Sequence, residues 1–157
     1  MYWGDKVKEF PKGRVPGGGN MALRREAVRR YGVFDTALGY VGESLLGGEE
    51  CDLFERLQIA EAKYYYVPKA VMYHIIPERK LTDEYFESLC HNVGKSQMCR
   101  ARYYHREGYL RRAEIFKWVA TLVLAAWYLV TLQWGKAKYI VKMRYHISSG
   151  IYNKNTR

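Results

Sequence analysis

Acid is nearly missing from the last third of this chain. Residues 100–157 hold 12 Lys and Arg against 2 Asp and Glu, whereas residues 1–99 hold 14 of each. The whole net charge of +10 therefore lies towards the C-terminal end. A nucleic-acid-binding domain spreads its positive surface over the folded part, so that class is set aside. Charge that brackets an apolar run points to anionic lipid instead. Cysteine is scarce as well: Cys51, Cys90 and Cys99 are an odd set without metal-ligand spacing, which reads as reduced thiols in a cytosolic compartment. The first residues, with Asp5, Lys6, Lys8 and Glu9, carry no apolar run, so no secretory signal is expected. What is present suits a folded chain: 157 residues, 48% hydrophobic and 15% aromatic, are enough for a sizeable core.

The densest local signal is Leu46-Gly47-Gly48-Glu49-Glu50-Cys51-Asp52-Leu53. Two glycines permit a sharp turn and close approach to a ligand. Three carboxylates follow, and then Leu53, Leu57 and Ala60 recur at helical spacing. This predicts a helix over about residues 49–62 with Glu49, Glu50 and Asp52 at its N-terminus, where acids also complement the helix dipole. Upstream, Pro16-Gly17-Gly18-Gly19-Asn20 marks tight turning or close backbone approach. Met21-Ala22-Leu23 reads as a short buried strand, and Arg25 to Tyr31 as a short helix stopped by Gly32. Downstream, Tyr64-Tyr65-Tyr66-Val67 has strand chemistry until Pro68, and Ala70 to His74 reads as a second strand.

Thr82, ahead of Glu84 and Tyr85, predicts the start of a long helix running towards Tyr104. Gly94-Lys95-Ser96 is not a phosphate loop, because position 89 is Leu where that motif needs Gly. Trp118 to Gly135 holds no charged residue and would be about 27 Å long as a helix, near the lower limit for crossing a bilayer. Both of its flanks are basic, so the positive-inside rule gives no orientation: the segment either spans the bilayer or, with both flanks cytosolic, lies in the interface or re-enters. Ile140, Met143, Ile147 and Ile151 beside Lys136, Lys138, Lys142 and Arg144 continue as a basic amphipathic helix.

Taken in order, Pro16-Gly17-Gly18-Gly19-Asn20-Met21-Ala22-Leu23-Arg24-Arg25, Gly32-Val33-Phe34-Asp35, Leu38-Gly39, Gly48-Glu49-Glu50-Cys51-Asp52-Leu53, Tyr66-Val67-Pro68 and His74 resemble the C-terminal half of family 2 glycosyltransferases. The resemblance covers about residues 10–100 and is similar in particular to bacterial members that end in membrane-associated helices. It implies an α/β fold, the C-terminal part of a GT-A nucleotide-diphospho-sugar transferase domain over residues 1–108. Apolar and basic membrane-associated helices over 109–157 complete the expected organisation. The implied activity is inverting transfer of a sugar from a nucleotide-diphosphate sugar to a glycan or lipid-linked acceptor, in polysaccharide biosynthesis at the cytoplasmic face of the membrane.

By the same resemblance Glu50 is the general base, Glu49 and Asp52 support acceptor or helix geometry, and His74 helps hold a divalent cation, Mn²⁺ or Mg²⁺. Gly18, Gly19 and Asn20 line the sugar and acceptor pocket, and Arg79 is a candidate phosphate contact. The family's metal-binding Asp-X-Asp occurs nowhere in the sequence. The chain therefore reads as an incomplete catalytic domain that needs a separate donor-binding half. The alternative is a non-catalytic membrane-associated module derived from such an enzyme.

Overall fold

The computed structural model describes residues 3–11, 14–35 and 48–153. Leu38-Gly39, part of the resemblance, and Leu46-Gly47, which open the acidic stretch, lie outside the described residues. Two compact units are formed. The first contains the described residues up to 35 together with 49–75, and the second contains Gly48 with 76–153. The division falls near residue 75, whereas the sequence suggested one near 108.

The first unit is organised around α2 (Glu49–Ile59), whose Leu53, Phe54 and Leu57 are buried. Val15, Met21, Leu23, Ala27, Tyr31 and Tyr64 pack on that cluster. Full burial of each large apolar side chain contributes about 1.5–3 kcal/mol, so these three contacts hold the unit together. The helix begins with three acids complementing its dipole. It ends where Glu61 turns left-handed at φ 55°. There Ala62 N donates to Leu57 O at 2.9 Å and Glu61 N to Gln58 O at 3.0 Å, the paired closure of a helix C-terminus. A shorter helix, α1 (Arg25–Tyr31), stops at Gly32 with φ 82°, a conformation glycine adopts without strain. The sheet is a single antiparallel ribbon of β1 (Lys8–Glu9) and β2 (Tyr65–Tyr66), with Lys8 opposite Tyr66 and Glu9 opposite Tyr65.

The expected α/β architecture of a GT-A domain is overturned. The structure is 61% helix, with five helices and only this two-stranded sheet among the described residues. Three local facts explain why strand-like sequence does not build a sheet. Pro68 cannot donate to a ladder, and Ala70 N turns back to Val67 O at 3.0 Å, so β2 is cut short. Residues 70–76 are all exposed, and among the described residues no strand pairs with them. Met21 and Leu23 lay their side chains on α2 from a loop, so burial alone does not make them a strand.

The second unit is helical. A 3₁₀ turn at Glu78–Lys80 leads into α3 (Asp83–Tyr103), α4 (Glu107–Val130) and α5 (Trp134–Ile151). Thr82 caps α3, its hydroxyl accepting from Tyr85 N at 3.2 Å. Gly94 in α3 and Gly150 in α5 meet where those helices cross. A side chain on Gly94 would overlap the Ile147 carbonyl, and one on Gly150 would overlap the His91 carbonyl. Cys90, Met98, Ile147 and Ile151 form the core beside this crossing.

Helices α4 and α5 form an antiparallel hairpin tied by a buried polar chain. Trp118 Nε1 donates to Ser148 Oγ at 2.8 Å, which donates to Glu114 Oε1 at 2.8 Å. Glu114 is 1% exposed and also pairs with Arg144 Nη1 at 3.1 Å. A buried carboxylate is tolerable only when paired and hydrogen-bonded in this way. On the other face of α5, Lys142 bridges Asp83 at 2.8 Å and Glu87 at 2.7 Å.

Candidate functional site

Within the first unit, the glycine turn is seated between the start of α2 and the segment that leads to His74. Each of its last three residues makes one of the seating contacts. Gly18 lies against Glu50, so that a methyl group in place of its hydrogen would overlap the Glu50 carboxyl group. Gly19 faces Met72, where an added Cβ would stand 3.2 Å from the thioether methyl. Asn20 Nδ2 donates to the Ala70 carbonyl at 2.7 Å, and Asn20 N reaches the Gly17 carbonyl at 3.3 Å. Bulky residues at 18 would push the acid away, so the absence of a side chain there sets the position of the Glu50 carboxylate. Glu49 and Glu50 are both half-buried in the first helical turn.

Asp52 behaves differently. Two residues on from Glu50 it projects about 200° round the helix, away from the turn. It is 4% exposed and holds Arg56 Nε at 2.9 Å. Arg56 in turn donates from Nη1 to the Tyr31 carbonyl and from Nη2 to the Val33 carbonyl at 2.7 Å. The Asp52–Arg56 pair thus fastens α2 to the end of α1, which is work on the scaffold. It leaves Glu50 as the acid that touches the glycine turn.

His74 lies two residues beyond Met72 in an exposed run, and no hydrogen bond to a described residue orients its ring. Among the described residues no group of three His, Cys, Asp or Glu could hold a metal ion. A lone imidazole does not make a cation site. The described residues of this unit thus do not by themselves supply a cation site around His74, and the steps proposed for the acid use no cation. Arg79, in the 3₁₀ turn, is exposed and belongs to the helical unit.

Arg56, Ala70 and Met72 are the site residues that sequence reasoning missed. Arg56 was accessible in principle, because Asp52 and Arg56 stand at the i,i+4 spacing of a helical ion pair. Ala70 acts through its carbonyl, which no side-chain pattern reveals. A groove of about 830 Å³ exists in the helical unit, walled by Trp118, Leu129, Trp134 and Val141. Glu50 and His74 do not line it. Compared with protein-family models, with curated proteins and with solved structures, the chain matches none.

Proposed function

We propose that this chain supplies the acceptor side of an inverting glycosyltransferase acting at the cytoplasmic face of a membrane. In this reading Glu50 takes the proton from an acceptor hydroxyl as its oxygen attacks the anomeric carbon of a nucleotide-diphosphate sugar. The nucleotide diphosphate leaves from the opposite face of the sugar. The acceptor is a glycan or a lipid-linked glycan.

One observation carries the reading: the Glu50 carboxylate rests on the bare backbone of Gly18, in a turn held by Asn20 and Met72. An acid that served only the helix dipole would need no glycine beneath it. Close approach of backbone to carboxylate instead opens a surface on which a hydroxyl can meet the base. No Asp-X-Asp occurs in the chain, so the nucleotide sugar is held by a separate donor-binding half.

The test is to combine the chain with a donor-binding half and follow transfer of labelled sugar from nucleotide sugar to acceptor. Transfer that needs both parts supports the reading. Neither transfer nor nucleotide-sugar binding in the combination contradicts it and leaves a non-catalytic membrane-associated module.

A further inference from the structure

Helix α4 is long and apolar enough to cross a bilayer by length and composition, and only 17% of its most apolar window is buried in the protein. Its surroundings argue for a different arrangement. Helix α5 runs back along it, with Arg144 paired to Glu114 and Ser148 bonded to Trp118. Any insertion of α4 along the membrane normal would carry Lys138, Lys142 and Arg144 of α5 with it. Lys142 is further bound to Asp83 and Glu87 at the start of α3, so three charged groups share that level. From Glu114 to the turn at Thr131 is about 26 Å, shorter than the ~30 Å hydrocarbon core. The hairpin therefore offers no charge-free slab thick enough to cross.

The most exposed apolar side chains of α4 gather in one stripe, which Ile115 and Leu122 widen on one flank. Phe116, Val119, Val123, Trp127 and Val130 are 58–78% exposed, and at 100° per residue they share one face. Glu114, Thr121 and Ala125, the buried residues of α4, lie on the opposite side, towards α5. The exposed Arg112 heads the apolar stripe, and exposed Lys136 and Lys138 follow the turn at its other end. Five bulky apolar side chains bracketed by cations match the chemistry of an anionic lipid surface, with tails under the stripe and headgroups at its ends.

We propose that α4 lies in the plane of an anionic bilayer surface, its Phe116–Val130 stripe facing the lipid and α5 stacked on its water side. This refines the membrane location of the glycosyltransferase reading and does not depend on the sugar chemistry, because its test contains neither donor nor acceptor. The probe is a vesicle of phosphatidylcholine with 30% phosphatidylglycerol, compared with phosphatidylcholine alone. Spin labels are placed one at a time by Phe116→Cys, Val123→Cys and Val130→Cys in the full chain carrying Cys51→Ser and Cys99→Ser; Cys90 is buried and unreactive.

The in-plane arrangement gives the three labels the same shallow depth within about 5 Å, and binding at least about tenfold tighter to the anionic vesicle. A crossing helix would instead separate the labels at 116 and 130 by about 21 Å in depth, since 14 residues rise 1.5 Å each. That spread, or labels that stay open to water, overturns the proposal. The unmodified chain gives a second measurement through its own tryptophans. Their fluorescence should be quenched more by lipids brominated near the headgroup than by lipids brominated near the chain end. Deeper quenching, or none, overturns the proposal as well.

Discussion

Position 18 shows how much a single missing side chain can decide. Its α-carbon touches the Glu50 carboxyl group, which is the far end of a flexible side chain. Gly18→Ala therefore displaces the acid without disturbing the core. Unfolding stability should stay within about 0.5 kcal/mol of wild type. In the combined transfer assay, turnover should fall on the order of 10²-fold, because small misplacement of a reacting group is that costly. Unchanged turnover would show that the carboxylate position does not matter. His91 offers a residue-scale test of the helical unit. Burial, then nearby Lys95 and His146, hold its imidazole below the ordinary value of 6.5. The neutral ring is bonded to Ser149 Oγ at 2.8 Å across the α3–α5 contact. The unfolded chain takes up this proton at higher pH than the folded one. Its contribution to stability is thus complete above about pH 6.5 and is lost as pH falls through the lower folded value. The fall in Tm between pH 7.5 and 5.5 should be smaller for His91→Gln than for wild type; an equal fall removes His91 as the cause.

Elements were legible where apolar spacing and a capping residue agreed. Arg25–Tyr31 with Gly32, the acidic start of α2 and the Thr82 cap of α3 all combine both signals. The ends that misled have no punctuation. Helix α4 breaks at residues 131–133, where Leu132 takes φ 58°, while Gly135 sits inside α5. Glu61 and His105 likewise hold left-handed positions, at φ 55° and 53°, that glycine usually occupies. Of the expected strands only Tyr65–Tyr66 forms, paired with β1; Ala70 to His74 and Met21 to Leu23 pair with no strand among the described residues. Gly94 is the reverse case. It belongs to a run that imitates a phosphate loop, and its use is to let two helices touch. Alanine is the better helix former by about 0.5–1 kcal/mol, so propensity alone predicts that Gly94→Ala stabilises. Overlap with the Ile147 carbonyl, a backbone atom that cannot swing aside, predicts the opposite, a net loss of about 1–3 kcal/mol. Chemical denaturation decides the sign, and a more stable variant would refute the close crossing.

At the scale of the whole molecule, each of the two units has its own task. The first unit positions an acid on a glycine turn, and its ion pair of Asp52 and Arg56 does the fastening that sequence reasoning had partly assigned to acceptor support. The second unit buries the Glu114–Arg144 pair inside an otherwise apolar hairpin and exposes the rest of α4. The sequence could show that positive charge and the apolar run travel together. It could not show that α5 folds back along α4, because that pairing depends on contacts between residues about 30 positions apart. The same distance in sequence separates Gly18 from Glu50 and kept their contact out of view. The measurement that bears most directly on the central claim is the single-turnover rate of sugar transfer with Glu50→Gln, beside a donor-binding half and saturating acceptor. Removing the base should slow transfer about 10²–10⁴-fold and leave acceptor affinity unchanged. A rate equal to wild type would contradict the role of Glu50.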